Sequence, residues 1–470
     1  MKRCTRLFLL LSIICGLILA ACGDDDSNDT TPADGDQDAI DSAETASDAD
    51  ADPDPVDGDQ DLSDGDAEAV ESEGSILECK DIQDRIVVDN EDETFDKGPY
   101  LMQPTTESII VMWWTETEDD GTVFWGLDEN MGNEVSHEGE SVQHEVKVEG
   151  LQADTRYFYK VRSGGQTSDI HHFYTDPGPN QSFRFAMWGD NQNGPETFET
   201  VVDQMMTFNP HLLVGVGDHV QEGDQIERWK SELFGPLREL SHEVAFYAAQ
   251  GNHARNSQHW YDHFSFPHAG DHESIYSFTY GNTFFLVVNT NTLYFPIGSV
   301  ENEMSLFVRE QMASPEAQNA TWRIALSHEP GYSEAWGDGS CHNDGNQQIR
   351  GWLMPLLTEN NFHAYFSGHM HGYERGMVDG VTHIITGGGG GHLDAWCLDW
   401  PETKVAYYEH HHLIVDAGCD ELRISAYNMD KTMFDWVVIN KDNPGVLTDE
   451  GPMENLPDPV VNSDSPTLDD

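Results

Sequence analysis

From Ser182 onward the chain repeats one arrangement five times: a short apolar run, a turn, and then a side chain able to hold a cation. Phe183-Arg-Phe-Ala-Met187 leads into Gly189-Asp190, and His211-Leu-Leu-Val-Gly-Val216 into Gly217-Asp218. Val244-Ala-Phe-Tyr-Ala248 leads into Gly251-Asn252-His253, Arg323-Ile-Ala-Leu326 into His328, and Ala364-Tyr-Phe366 into Gly368-His369-Met370-His371. Apolar runs of this length, bounded by glycine and separated by helical stretches, read as buried strands of an α/β domain. In such sheets, ligands collect beyond the carboxyl ends of the strands. The pattern therefore predicts one sheet rim carrying two carboxylates, an amide and three imidazoles. That mixed oxygen and nitrogen set suits Mn, Fe or Zn and disfavours calcium. A single Gly-Asp is usually a turn and a single His usually a satisfied polar residue. The ordered recurrence at five strand ends is what carries the reading.

Charge narrows the partners. The chain has 23 Lys plus Arg against 86 Asp plus Glu, a formal net charge of −63. Nucleic acid binding needs basic patches and is excluded. Divalent cations are attracted, and anionic substrates are repelled unless a metal inverts the local field. With 470 residues, 38% apolar content and twelve tryptophans, the chain can fill two or three domains with real cores.

The ends read differently from the middle. Lys2, Arg3 and Arg6 precede an apolar stretch from Leu7 to Ala21, too short for a comfortable membrane span, so residues 1–21 read as a signal peptide. Leu19-Ala-Ala-Cys22 resembles the lipobox of bacterial lipoproteins, which implies lipidation of Cys22 and a membrane-anchored protein in the periplasm or at the cell surface. Residues 22–75 then read as an acidic tether, since Gly23 to Ser75 contains no Lys or Arg. The repeat Asp34-Gly-Asp-Gln-Asp38 and Asp57-Gly-Asp-Gln-Asp61 lacks a calcium loop's closing Glu in register, so spacer is preferred. Residues 442–470 are expected to fray as an acidic tail. Four cysteines remain for the folded part: Cys79, Cys341, Cys397 and Cys419. They allow three pairings, of which Cys341–Cys397 is expected because both lie in Gly-rich loops near the predicted rim.

Residues 76–177 read as an all-β sandwich of fibronectin type III size. The strands expected are Ser108-Ile-Ile-Val-Met-Trp-Trp114, Thr122-Val-Phe-Trp125, His144-Glu-Val-Lys-Val148 and Tyr157-Phe-Tyr-Lys-Val161, with Trp113, Trp114 and Trp125 as its core. Residues 182–441 form the α/β domain, with a hairpin over Tyr276–Tyr280 and Thr283–Val288.

The order GD, GD, GNH, H and GHxH resembles the calcineurin-like metallophosphoesterase superfamily. Gly368-His-Met-His-Gly-Tyr-Glu-Arg375 resembles the GHxHxYER signature of its purple acid phosphatase branch. Phe173-Tyr-Thr-Asp-Pro177, Gly387–Gly391 and Phe434-Asp-Trp-Val-Val-Ile439 extend the likeness over about Gly98 to Lys441. The resemblance implies a four-layer αββα catalytic domain behind a fibronectin III-like sandwich. It also implies a small phosphate-ester substrate and two divalent transition-metal ions. Asp218 would bridge both; Asp190 and His371 would hold the first, and Asn252, His328 and His369 the second. His253 would stabilise the transition state or protonate the leaving oxygen. The activity implied is phosphate monoester hydrolysis, with diester or nucleotide pyrophosphate hydrolysis as the nearest alternative and a non-catalytic binding protein as a third.

Departures from the family pattern matter. Gln221 stands where purple enzymes carry the tyrosinate that colours them, which implies a colourless protein with divalent metals. Gln192 stands where other branches place a His, and its amide oxygen is a candidate ligand for a weaker first site. Ala254 replaces the carboxylate that would orient His253. Glu374 and Arg375 are expected to pair beneath the site, with phosphate contact by Arg375 as the alternative. Tyr332, Trp336 and His392 are candidates for the substrate cleft or for loop packing. His410-His411-His412 opens a strand and is read as structural.

Overall fold

The computed structural model describes residues 78–88, 90, 92–267, 273–291, 300–335 and 344–452, with the side chains of 300–304 excluded. All of them fall in the unit Gly74–Asp470. The signal peptide, Cys22, the whole tether, Trp336 and Cys341 lie outside the described residues.

Eight strands precede the α/β domain: β1 (Lys97–Met102), β2 (Ser108–Asp119), β3 (Thr122–Gly126), β4 (Asn133–Ser136), β5 (Ser141–Glu149), β6 (Arg156–Ser163), β7 (Gln166–Thr167) and β8 (His171–Tyr174). They form two sheets, β1-β2-β5 and β4-β3-β6-β7, with β8 paired to β6. The alternation in β5 is what a half-buried strand requires: His144, Val146 and Val148 point inward and their neighbours outward. Trp113 is sealed in this sandwich, stacked 4.6 Å from His144, with its indole N–H donated to Ser163 at 2.9 Å. Trp114 instead stacks on His263 of the following domain at 4.4 Å. Tyrosine hydroxyls reinforce that junction, Tyr100 donating to the His263 carbonyl at 2.8 Å and Tyr159 to that of His242 at 2.6 Å.

The remaining strands are β9 (Phe183–Trp188), β10 (Leu212–Gly215), β11 (Phe246–Ala248), β12 (Tyr276–Tyr280), β13 (Thr283–Val287), β14 (Trp322–Leu326), β15 (Ala364–Ser367), β16 (Tyr373–Val378), β17 (Val381–Thr386), β18 (Thr403–Tyr407), β19 (His411–Ala417), β20 (Glu421–Asn428), β21 (Met433–Asn440) and β22 (Asn443–Glu450). They build two mixed sheets, β11-β10-β9-β19-β20-β21-β22 and β12-β13-β14-β15-β17-β16-β18. The hairpin read from the sequence is present, with Tyr280 opposite Thr283 across Gly281-Asn282. Strands such as β13 and β14 are apolar on both faces because each face meets a different core. Phe285, Val287, Ile324 and Leu326 point toward the other sheet, while Phe284, Leu286 and Ala325 join a second cluster with Leu353, Leu356 and Leu357. Phe185 meets Phe285 edge-on at 5.5 Å between the sheets. Outside the first sheet, the helix Pro195–Met206 buries Phe198, Val201, Val202 and Met205. Helix, sheet, sheet and helix are thus stacked as the sequence implied.

The tail departs from expectation. Residues 443–450 do not fray but form β22, antiparallel to β21, so the second domain runs on to Glu450. Ladder pairing overrides the poor strand propensity of Asn443-Pro-Gly445. At the other end, Cys79 is bonded to Cys419 across 340 residues. Cys397 is also disulfide-bonded.

Candidate metal centre

Three of the predicted ligand residues occupy left-handed backbone, with φ of 57° at Asp190, 47° at Asp218 and 69° at His369. Residues other than glycine rarely adopt that conformation, and where it occurs it marks turns that the surrounding structure holds for a reason. Here each turn follows the carboxyl end of a strand. Hydrogen bonds between the turns knit them together, from Asp190 N to the Gly217 carbonyl at 3.0 Å and from Gly368 N to that of His328 at 2.8 Å. Close approach also fixes a neighbouring residue as glycine. A Cβ at Gly251 would lie 2.1 Å from Asp218 Oδ1.

The side chains converge. Asp218 is buried and receives the His253 backbone N–H on Oδ1 at 2.8 Å, while His328 Nε2 lies 3.0 Å from its Oδ2. His328 Nε2 also reaches Asn252 Oδ1 at 3.0 Å and lies 3.2 Å from His369 Nδ1. Ligand atoms of Asp218, His328 and His369 all lie within 4.8 Å of one another. Asp190 accepts the His369 backbone N–H, at 2.9 Å on Oδ2, and its Oδ1 stands 3.5 Å from His371 Nε2. All six predicted ligands therefore meet at one rim.

Three of the imidazoles are aimed by backbone carbonyls. His328 Nδ1 donates to Val216 O at 2.9 Å, His371 Nδ1 to His392 O at 2.5 Å, and His253 Nδ1 to Gln221 O at 2.7 Å. These bonds settle the tautomer and turn Nε2 toward the carboxylates. The orienting group missing at Ala254 is thus supplied by the Gln221 main chain, which no sequence motif can signal. His392 contributes through its carbonyl. Asp394, overlooked in the sequence, accepts the His371 backbone N–H at 2.8 Å.

The electrostatics suit cations. Burial pushes the Asp218 carboxyl up, but the charge of His328 and its hydrogen bond outweigh that and hold it below the usual carboxylate range. Burial lowers the His328 imidazole, yet the charge and hydrogen bond of Asp218 carry it up to about 10. Against burial, His371 is likewise raised to about 9 by Asp190. His369, buried and facing His328, is pushed down to about 3. Two carboxylates thus each attract positive charge from a neighbouring ring nitrogen. Gln192, 2% exposed, places Nε2 3.1 Å from His371 Nε2, and its Oε1 is sealed with no hydrogen-bond partner. An orphaned buried acceptor beside a mixed oxygen and nitrogen donor set is what a cation site provides, and the residues fit a two-metal centre.

Other candidates are engaged elsewhere. Arg375 is not paired with Glu374, because adjacent residues on β16 face opposite sides of the sheet. Arg375 grips Asp435 with two hydrogen bonds of 2.6 and 3.0 Å and reaches Glu450 at 3.0 Å, which also removes it from substrate contact. Glu374 accepts the Glu334 N–H at 2.9 Å and the Tyr408 hydroxyl at 3.1 Å, and burial pushes its carboxyl up to about 8. Tyr332 meets Trp400 edge-on at 5.1 Å under the Arg350 guanidinium, which assigns it to loop packing. His411 and His412 project to opposite faces of β19, so the histidine triplet cannot converge on a cation.

Comparison with known proteins agrees with this geometry. Residues 165–373 match the calcineurin-like phosphoesterase family, and residues 100–175 match the N-terminal domain of purple acid phosphatases. Purple acid phosphatase 5 of Arabidopsis thaliana is 22% identical over 249 residues, covering 52% of this chain and 58% of the relative. A nucleotide pyrophosphatase/phosphodiesterase of Hordeum vulgare is 21% identical over 309 residues, covering 56% and 81% respectively. The chain spans little more than half the length of the first of these relatives. A purple acid phosphatase from yellow lupin (Lupinus luteus) seeds shares the fold, with a TM-score of 0.64 and 19% identity over 73% of this chain and 74% of that one. The chain is therefore similar to calcineurin-like phosphoesterases over residues 165–373 and to the N-terminal domain of purple acid phosphatases over residues 100–175.

Proposed function

We propose that this protein hydrolyses phosphate monoesters to alcohol and phosphate. The observation that carries the reading is the convergence of Asp218, His328 and His369 within 4.8 Å, with His253 beside them. Bound cations would polarise the phosphoryl oxygen and make a bound water acidic enough to act near neutrality. Asp190, Asp218 and His371 would hold the first cation, and Asp218, Asn252, His328 and His369 the second. His253 Nε2 stands 3.8 Å from Asp218 Oδ2, close to where a phosphoryl group would sit. Its Nδ1 is committed to Gln221 O, so only Nε2 is free to deliver a proton to the leaving oxygen.

Diester or pyrophosphate cleavage on the same residues is the second reading, supported by the Hordeum relative. Assay of p-nitrophenyl phosphate beside bis(p-nitrophenyl) phosphate separates them. Faster turnover of the monoester is expected, and a tenfold preference for the bis-ester overturns it. We further propose attachment to a membrane through Cys22. Labelled palmitate should enter the native chain and not Cys22→Ser; equal labelling of both rejects the anchor.

A further inference from the structure

We propose that Gln192 is the fourth protein ligand of the first cation, making that position richer in oxygen than the second and selective for manganese over zinc. The inference rests on the two-metal reading above and deepens it.

The turn that carries Gln192 is rigid. Its backbone N–H is donated to Asp218 O at 3.2 Å. Neighbouring Asn191 accepts the Trp188 indole N–H at 3.0 Å and donates to the carbonyls of His219 at 2.9 Å and Glu232 at 2.7 Å. Gln192, 2% exposed, is thus held against His371. One end of that amide meets His371 Nε2 at 3.1 Å, while Oε1 has no partner. A buried acceptor without a partner is a cost that folded proteins rarely retain without use.

The His371 ring explains the use. Its Nδ1 donates to His392 O, so Nε2 of the neutral ring carries a lone pair aimed between Asp190 and Gln192. A cation that takes this lone pair would face the amide N–H, an unfavourable contact. The terminal torsion of Gln is broad and roughly two-fold, so a half-turn presents Oε1 instead. The half-turn gives the cation an oxygen ligand in place of an N–H. The first position would hold three oxygens, from Asp190, Asp218 and Gln192, and one nitrogen from His371. The second would hold two oxygens and two nitrogens. Oxygen-rich sets suit manganese, whereas imidazole suits zinc.

Equilibrium dialysis of the full chain against Mn or Zn, with metal counted by mass spectrometry, tests this without relying on activity. Wild type should bind two cations of unequal affinity. Gln192→Ala should weaken one of them by about tenfold or more and leave the other unchanged, on the scale typical of lost metal-site partners. Gln192→Glu keeps an oxygen in place and should bind at least as tightly as wild type. Gln192→His should shift that position toward zinc by about tenfold. Equal affinities in wild type and Gln192→Ala overturn the assignment, as does a Gln192→Glu chain as weak as the Ala variant. Should Gln192→Ala fail to fold, the Glu and His variants decide it alone. Wild type that takes up no metal overturns instead the functional reading on which the assignment rests.

Discussion

At the scale of single residues, His253 separates chemistry from metal holding. Its backbone N–H supports Asp218 at 2.8 Å, and substitution leaves that contact in place. His253→Ala should therefore keep its full metal content and lose turnover by roughly 10²- to 10⁴-fold, the range for a general acid. The loss should be larger for alkyl phosphates than for p-nitrophenyl phosphate, whose leaving group needs less protonation. Metal counting beside kcat checks this, and loss of metal would reassign His253 as a ligand. The raised imidazoles make a second prediction. At pH 7 both His328, at about 10, and His371, at about 9, carry a proton once metal is chelated away. A cation binds only the neutral ring, so reloading must expel protons, and affinity should climb as pH rises toward that range. Titrating metal into chelated protein in weakly buffered solution should release about two protons per chain at full loading. Release of none would contradict the pairing of these rings with Asp218 and Asp190. The convergence of the predicted ligand residues was legible in sequence because each follows an apolar run. The carbonyls of Val216, Gln221 and His392 that aim the imidazoles were not, because every residue has one.

At the scale of elements, strand parity decides what composition leaves open. Glu374 and Arg375 look like an ion pair until β16 is drawn as a strand, after which the two cannot face each other. Arg375 finds Asp435 on β21, a strand of the other sheet sixty residues on, and together they bolt the two sheets. Side chains of Arg375 and Asp435 are 1% and 0% exposed, and Tyr373 adds its hydroxyl to Asp435 at 2.6 Å. Removing the guanidinium leaves a buried carboxylate with no cation. Arg375→Ala should cost about 3–5 kcal/mol, the usual range for a broken buried pair. Denaturant unfolding should show the loss, while the metal affinity of the folded variant stays as in wild type. An unchanged midpoint would show that water replaces the guanidinium. The strand β22 was illegible for a related reason. Pro444, Gly445 and a run of acids read as a fraying end, and only pairing with β21 makes them a strand. The Cys79–Cys419 bond is hidden in the same way, since 340 residues separate two groups that folding brings together.

At the scale of the whole molecule, charge acts on the substrate before any side chain touches it. A net −63 repels anions over distances comparable to the Debye length, which is about 10 Å at 0.1 M salt. Arg255, three residues beyond Asn252, is already drawn to Glu222 and Asp224. Arg375 and Arg350 are held within the fold, so on the proposed reading bound cations would have to grip the phosphate themselves. The cost of approach then grows with the charge on the rest of the substrate. A monoester of a neutral or cationic alcohol carries charge only on the phosphoryl group that the cations neutralise. A nucleoside triphosphate brings further negative charge into an acidic rim. Salt should therefore raise kcat/KM for a triphosphate more steeply than for phosphocholine, because screening removes a repulsion that phosphocholine hardly feels. Measuring both between low and physiological ionic strength, at constant free metal, gives the comparison. A triphosphate whose kcat/KM falls with salt would mean that it is attracted, which would favour the pyrophosphatase reading over the monoesterase.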